Sequence, residues 1–193
     1  MVSRTIWKRR VVLMALVGLA VAVPLTLLLA GDDPEAPDPT AVMTTPIEPP
    51  PQLSEADRDD SLRVRYRVPK GWKESKQASA IRLRSRDSTA EIVIAAPAPA
   101  GEADGVLDEA LAAIRDGYEA VEVSPGSGRK IGGLKAKGAV ISAKSDGAEL
   151  RIVVAVAPGD KHAYLVEVFT AAGVSGERLR EAQVALNSLE LNG

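Results

Sequence analysis

Apolar and polar side chains alternate along two stretches of the chain, a pattern typical of strands that bury one face. Residues 62–68 alternate strictly, and their even-numbered positions, Leu62 to Val68, are predicted to point inward before a turn at Pro69–Gly71. Residues 80–86 alternate again, with Ile81 and Leu83 on one side and arginines on the other. Residues 90–95 are more continuously apolar and predict a third strand, which ends before two prolines.

Two other stretches follow helical periodicity. From Asp104 onward, the apolar residues between Val106 and Ile114 share one face, and Gly117 is placed to end the helix. A second helix begins at Ser175, whose hydroxyl is suited to cap it. Its apolar face comprises Leu179, Ala182, Leu186 and Leu189.

Between the two helices, the sequence predicts an antiparallel meander. A short strand near residues 120–123 precedes three longer ones, which turn-forming residues connect. The longer strands span residues 134–143, 148–157 and 162–170. The predicted fold class is therefore α+β: a mainly antiparallel sheet covered by helices and layered as a sandwich.

An uncharged apolar run of 20 residues, 11–30, stands near the start of the chain. As a helix it would be about 30 Å long, which matches the hydrocarbon core of a bilayer. The basic residues before it are Arg4, Lys8, Arg9 and Arg10, and the acidic residues after it are Asp32, Asp33, Glu35 and Asp38. Because basic flanks stay in the cytoplasm, the run predicts a single-pass signal anchor with an extracytoplasmic C-terminal domain.

A cleaved signal peptide is the alternative interpretation of the same run. The small residues of Ala20-Val21-Ala22 have the spacing of a cleavage site. Cleavage after Ala22 would leave the apolar residues 24–30 as a new terminus, so we favour the uncleaved anchor.

The next segment, residues 31–57, has seven prolines, seven acidic residues and no aromatic residue. Such a composition buries too little apolar surface to fold, so it predicts a disordered Pro-rich linker. The chain is thereby divided into a cytoplasmic basic tail (1–10), a transmembrane anchor (11–30), the linker (31–57) and a folded domain (58–193).

Composition excludes several classes of site. The chain has no cysteine, which excludes disulfides, thiolate metal sites, a lipid-modified cysteine and a cysteine nucleophile. It has one histidine, His162, and a formal charge of −2, which argue against histidine-based catalysis and against a nucleic-acid partner. No cofactor and no metal site are predicted, and no catalytic residue is assigned.

One motif and the order of the elements resemble a known family. Tyr66-Arg67-Val68-Pro69-Lys70-Gly71-Trp72 is followed by a hairpin, a helix, Gly132-Gly133, a strand meander and a closing helix that ends in Ser188-Leu189. Over residues 60–191, this arrangement resembles the PsbP/Mog-like superfamily. The resemblance implies an α/β/α sandwich and a binding or assembly-accessory role, in many bacterial members on an exported, membrane-tethered domain. It implies no site residue that can be transferred to this chain.

The strongest local feature is a run of nine basic residues between positions 63 and 86, opposed only by Glu74. Its arginines are Arg63, Arg65, Arg67, Arg82, Arg84 and Arg86. If the two strands that carry them pair in register, one face of the sheet bears an arginine ladder that suits an anionic lipid or polymer. The alternative is that solvent or the helix acids Asp108, Glu109 and Asp116 neutralise these charges.

Other candidate features have structural explanations. The loop at 124–133 is rich in glycine, but it lacks the spacing of a nucleotide-binding loop and precedes a strand. Trp72 is expected to plug the end of the sheet, and His162 to start a strand in solvent. The tandem acids Asp59-Asp60 have no second carboxylate cluster that would make an acid–base pair.

The sequence therefore predicts a non-enzymatic, extracytoplasmic binding or assembly-accessory module of the cell envelope, anchored in the membrane and acting on an unidentified protein partner. Recognition of an anionic envelope polymer or lipid through the arginine strands is the first alternative. A hydrolase that uses serine and carboxylates is the second, although the chain has no Gly-x-Ser-x-Gly motif.

Overall fold

A computed structural model describes residues 50–77, 79–126 and 128–191. The strands are β1 (Asp57–Asp59), β2 (Val64–Tyr66), β3 (Lys73–Gln77), β4 (Ala80–Arg84), β5 (Ala90–Pro99), β6 (Glu119–Pro125), β7 (Arg129–Ile131), β8 (Leu134–Ser145), β9 (Ala148–Pro158), β10 (His162–Ala171) and β11 (Glu190–Leu191). The helices are α1 (Ala103–Gly117), which a short 3-10 turn precedes, and α2 (Gly176–Asn187). The predicted anchor at 11–30 lies outside these residues, and no helix within them is long and apolar enough to cross a membrane.

The main sheet has the strand order β3-β4-β5-β10-β9-β8-β6, with β7 paired to one end of β8. Its central strands run antiparallel, with Val166 opposite Ile94 and Ala155, and the pairing of β10 with β5 shifts register between Ala163 and Leu165. The prediction of a mainly antiparallel sheet with two helices is confirmed. Hairpins join β8 to β9 and β9 to β10. The turn-forming residues between these strands predicted both connections.

The two helices cover opposite faces of the main sheet. Along β5, Ile92 and Ile94 face the apolar cluster that includes Ala182 and Ala185 of α2. The alternate residues of β5 belong to a second cluster, which includes Val106, Ala110 and Ile114 of α1. Since neighbouring residues of a strand point to opposite faces, the helices and sheet form three layers.

A small second sheet, in the order β1-β2-β11, packs on the α2 side of the main sheet. Leu62, Val64 and Tyr66 are buried as predicted, although the strand is only three residues long. The strand begins only at Val64, because Arg63 has a φ of 56°, outside the extended region. The strand thus keeps its inward face but not its predicted length.

The hydrophobic pattern did not reveal β3. Every residue of Lys73–Gln77 is exposed and polar, yet the segment pairs with β4 along its whole length. It is one of the two edge strands of the main sheet, and charged side chains are characteristic of exposed edges. A strand without apolar residues has no alternation to detect.

The domain makes ordered contacts upstream of residue 58, the first residue that composition assigned to it. The Ser54 amide donates to the Val68 carbonyl at 2.8 Å, and the Lys70 amide donates to the Gln52 carbonyl at 2.8 Å. The chain therefore joins the domain at Gln52, beside the turn that precedes Trp72. This point of entry lies at the end of the main sheet where β5 begins.

Candidate functional site

The arginine ladder does not form. It required β2 to pair with β4, but β2 pairs with β1 and β11, whereas β3 and β5 occupy both edges of β4. Strand alternation predicted correctly that Ile81 and Leu83 lie on one side of β4 and Arg82 and Arg84 on the other. The pairing assumption was wrong because both edges of β4 are taken by its immediate neighbours in sequence.

The six arginines are consequently divided between two sides of the molecule. Arg65 is exposed on the small sheet, where it lies 3.4 Å from Glu190. Arg82 and Arg84 point to the opposite side of the main sheet, towards the α1 face, because Ile81 and Leu83 fill the α2 side. The others are Arg63 in a half-buried turn, Arg67 exposed after β2 and Arg86 exposed after β4. Anion binding by these residues remains a prediction.

Glu91 neutralises the two arginines of β4. Arg84 Nε lies 2.6 Å from Glu91 Oε2, and Arg82 Nη1 lies 3.1 Å from Glu91 Oε1. Glu91 is only 4% exposed, so its carboxylate depends on these partners. A buried acid of the neighbouring strand therefore neutralises both arginines, in addition to anything that the helix acids contribute. The one signal in the sequence was an isolated glutamate at the start of the apolar run 90–95.

A second carboxylate, Glu167 on β10, is buried on the same face. Burial raises its pKa to about 7, while Arg82 acts in the opposite direction and Glu91 adds to the rise. Burial also raises the pKa of Tyr118, which follows α1. Among the described residues, Glu167 Oε2 and the Tyr118 hydroxyl have no hydrogen-bond partner. Both carboxylates are almost fully buried, so the cluster is a sealed structural element and not a place where a solute binds.

Trp72 fills the end of the sheet, as predicted. The indole is 8% exposed, and its Nε1 donates to Glu181 Oε2 at 2.8 Å. Arg178 Nη1 donates to the same oxygen at 2.7 Å, and Arg178 Nε donates to Asp87 Oδ2 at 3.0 Å. Burial would raise the pKa of Asp87, but hydrogen bonds from Ser85, Thr89 and Arg178 outweigh it and lower that pKa. The network joins α2 to the chain's point of entry.

A groove lies at the other end of the main sheet. The lysine groove, as we call it, has a volume of about 720 Å³ between the start of α1 and the β7–β8 hairpin. Its apolar lining comprises Ala100, Ala103, Ala136, Val156 and Pro158. Its charged residues are Lys130, Lys135, Lys137 and Asp104. No single sequence motif carries these residues, because they come from four separate segments of the chain.

The lysine groove has an excess of positive charge. Lys137 Nζ lies 2.7 Å from Asp104 Oδ1, and both side chains are mostly exposed. Within the described ranges, Lys130 and Lys135 form no ion pair with a carboxylate. Lys130 and Lys135 stand directly opposite each other on β7 and β8, and like charges on directly opposite residues are unfavourable. An anionic group would relieve the repulsion between them.

The other sequence candidates occupy structural positions. The glycine-rich loop leads into the β7–β8 hairpin, where Gly132 and Gly133 both have positive φ. His162 begins β10 and is half-buried, with its ring edge-on to Tyr164 at 6.3 Å. Asp59 accepts hydrogen bonds from Ser61 Oγ and the Leu62 amide, which makes it a turn residue. In the part of the chain that the structure describes, no three metal-ligating side chains are grouped to hold an ion.

Sequence comparisons with known proteins found no match for the chain. No protein-family model matches it, and no curated protein sequence matches it. Its fold is similar to a solved structure from Bacteroides thetaiotaomicron (15% identity, TM-score 0.46), which covers 67% of this chain. This chain spans only 45% of the Bacteroides structure.

Two further solved structures are similar to the chain. LpqN of Mycobacterium tuberculosis, described as involved in cell envelope biogenesis, has 15% identity and a TM-score of 0.47, covering 74% of this chain and 91% of its own. Cyanobacterial PsbP of Synechocystis sp. PCC 6803 has 12% identity and a TM-score of 0.37, covering 80% of this chain and 99% of its own. At these values the likenesses establish neither a family nor a function, so the PsbP/Mog-like assignment remains a prediction.

Proposed function

We propose that this protein is a membrane-anchored, non-catalytic binding or assembly-accessory module of the cell envelope. Its basic tail (1–10) stays in the cytoplasm, residues 11–30 span the membrane, and the folded domain is held on the outer side by the Pro-rich segment. The apolar run and the opposite charges on its flanks support this topology.

One structural observation supports a binding role above others. The chain enters the domain beside Trp72, whereas the lysine groove lies at the opposite end of the main sheet. The two ends are separated by the length of β5, about 33 Å at 3.3 Å per residue. A tether at one end therefore leaves the groove open to a partner at the other end.

The arrangement of charged groups supports a non-catalytic role. Glu91 and Glu167 are sealed beneath α1, and Glu181 is committed to Trp72 and Arg178. A general acid or base must reach its substrate within hydrogen-bond distance. Glu91 instead pairs with the arginines of β4, Glu181 joins α2 to Trp72, and Glu167 is buried away from solvent.

The topology is tested by site-specific thiol labelling, which is specific for an introduced cysteine because the chain has none of its own. A membrane-impermeant maleimide is added to intact cells that produce Glu149→Cys, which lies at an exposed position of β9, or Ser3→Cys in the basic tail. We expect labelling of Glu149→Cys in intact cells and of Ser3→Cys only after the cells are permeabilised. The wild-type chain is the control, because it has no thiol to react.

Two results would refute the topology. One is labelling of the Glu149→Cys variant only after permeabilisation, which would place the domain in the cytoplasm. The other is a mature chain that begins beyond Ala22, which would replace the anchor by a cleaved signal peptide.

A further inference from the structure

We propose that the lysine groove binds an anionic amphiphile, specifically a lipid with a single acyl chain and an anionic head group. The inference rests on the proposed function in that it takes the domain to be a binding module. It adds the place at which the ligand binds and the chemistry that recognises it.

The size and lining of the groove fit the chain of such a ligand. Its volume of about 720 Å³ lies within the range of about 300–1,000 Å³ that is common for small-molecule sites. Val156 is 2% exposed and Ala136 is 7% exposed, so the floor is part of the apolar core of the sheet. Alanine and proline side chains form the walls and offer few polar groups. An apolar chain is stabilised there by the removal of its surface from water.

The charges fit an anionic head group. Lys130 and Lys135 face each other across the β7–β8 pair at the margin of the groove, and Lys137 adds a third ammonium beside Asp104. Three positive charges against one negative charge favour an anion over a neutral or cationic ligand. Lysine is a mobile point charge, so it accommodates a carboxylate or a phosphate without a fixed fork geometry.

Two glycines of the same segment provide a matched pair of variants. A Cβ atom at Gly101, which lines the groove, would meet no atom within 4 Å, and the same is true at Gly105 in α1. Gly105 does not line the groove. The Cβ atom of a larger residue is therefore accommodated at either position, but only Gly101→Phe enlarges a residue that lines the groove.

The test uses the full chain in nanodiscs of neutral lipid, with dodecyl phosphate that carries a photoreactive diazirine as the probe. We expect saturable crosslinks to peptides that contain residues 98–106 or 128–137. Gly101→Phe, and separately Lys130→Gln combined with Lys135→Gln, should weaken labelling about tenfold. Gly105→Phe, and Lys73→Gln combined with Lys144→Gln, should label like the wild type, since these positions lie elsewhere on the surface.

Competition distinguishes the occupants. Unlabelled dodecyl phosphate should displace the probe. Inorganic phosphate, which has the head group without a chain, should not displace it, and neither should dodecyl maltoside, which has the same chain with a neutral head group. Equal labelling of Gly101→Phe and Gly105→Phe would overturn the site. Displacement by dodecyl maltoside as effective as by dodecyl phosphate would overturn the role of charge. Stronger displacement by a peptide that copies residues 31–49 would show that the groove is a peptide site.

Failure of this inference is distinguishable from failure of the proposed function. Cysteine labelling reports on which side of the membrane the domain lies, and it does not depend on any ligand. Groove crosslinks report on the ligand chemistry and are obtained on a purified chain. A correct topology with no groove crosslinks refutes the amphiphile site and leaves the accessory module with a protein partner.

Discussion

The indole of Trp72 and the carboxylate of Glu181 lie 109 positions apart in the chain and share a 2.8 Å hydrogen bond. Trp72 follows the turn that receives the entering chain, and Glu181 lies on the buried side of α2. Arg178 donates to the same carboxylate oxygen and also binds Asp87 in the turn after β4. These hydrogen bonds therefore connect the turn before β3, helix α2 and the turn after β4, at the end of the sheet where the chain enters the domain.

We expect Glu181→Leu to destabilise the domain more than Trp72→Phe does. Trp72→Phe removes one donor and leaves Arg178 on the carboxylate, so the free energy of unfolding should fall by about 1 kcal/mol. Glu181→Leu leaves the buried indole N–H without its acceptor and Arg178 without one of its two partners, so the loss should be about 2–3 kcal/mol. Urea unfolding of the full chain, followed by circular dichroism, measures both.

The exposed acid of the same helix provides the control for this pair. Glu177→Gln should change the free energy of unfolding by less than about 0.5 kcal/mol, because Glu177 lies in solvent at 4.0 Å from Arg178. If Trp72→Phe were the more damaging variant, apolar packing of the ring would outweigh the hydrogen-bonded network.

Glu167 should make the domain less stable as the pH rises. Its pKa is raised from 4.5 to about 7 in the folded chain, so the folded state binds a proton more tightly than the unfolded state does. The free energy of unfolding is then greatest at a pH below the pKa of the unfolded state, and it falls as the pH rises through the pKa of the folded state. For a group that is almost fully buried, a shift of this size corresponds to about 3 kcal/mol.

Glu167→Gln tests this expectation. The amide cannot ionise, so the variant should lose this pH dependence between about pH 5 and pH 8 and should be more stable than the wild type at the upper end. Glu149→Gln, which neutralises an exposed acid on β9, serves as the control and should keep the wild-type slope. An unchanged slope in Glu167→Gln would mean that another group causes any pH dependence observed. The measurement is the urea midpoint as a function of pH.

Local pattern determined the inward and outward faces of the strands, but not their partners. Ile81 and Leu83 are buried as their alternation predicts, since burial of one face depends on nearby sequence alone. One of the two partners of β2 is β11, from the other end of the domain, and no periodicity within either strand encodes that pairing. The same limitation hid the ion pairs of Glu91, which depend on strand register.

The lysine groove could not be predicted from the sequence for a related reason. Lys130, Lys135 and Lys137 are ordinary exposed residues of a polar hairpin when considered along the chain. They line one groove only because the start of α1 lies beside that hairpin. The glycine-rich loop at 124–133 overlaps this segment, but the proposed binding chemistry depends on its Lys130 and on Lys135 and Lys137 rather than on its glycines.

The register of β4 and β5 predicts that Arg82 is structural. Arg82→Ala would leave the buried Glu91 with one partner and would remove the cation that lowers the pKa of Glu167. We expect a loss of about 2–3 kcal/mol in the free energy of unfolding, because a buried carboxylate loses compensation. Arg65→Ala, which removes an exposed pair with Glu190, should cost less than about 0.5 kcal/mol.

Because Arg82 pairs with a buried acid and Arg65 with an exposed one, substitutions at the two positions have different meanings in a binding experiment. A charge reversal at Arg82 would disturb the sheet as well as any anionic ligand, so a loss of binding there is uninformative without a stability measurement. Equal unfolding midpoints for Arg82→Ala and Arg65→Ala would contradict the structural role. Differential scanning calorimetry of both variants decides it.

Gly138 on β8 lies directly against the backbone of β9. A Cβ atom at this position would clash with the Val154 carbonyl oxygen and would lie 3.1 Å from Ala155 Cα. Both atoms belong to the backbone of β9, so Gly138→Ala must displace a strand and should cost about 1–3 kcal/mol. The same change at Gly105, where a Cβ meets nothing within 4 Å in the helix α1, should stabilise by about 0.5–1 kcal/mol. Chemical denaturation of the two variants should therefore shift in opposite directions, and a shift in the same direction would contradict the close approach of β8 and β9.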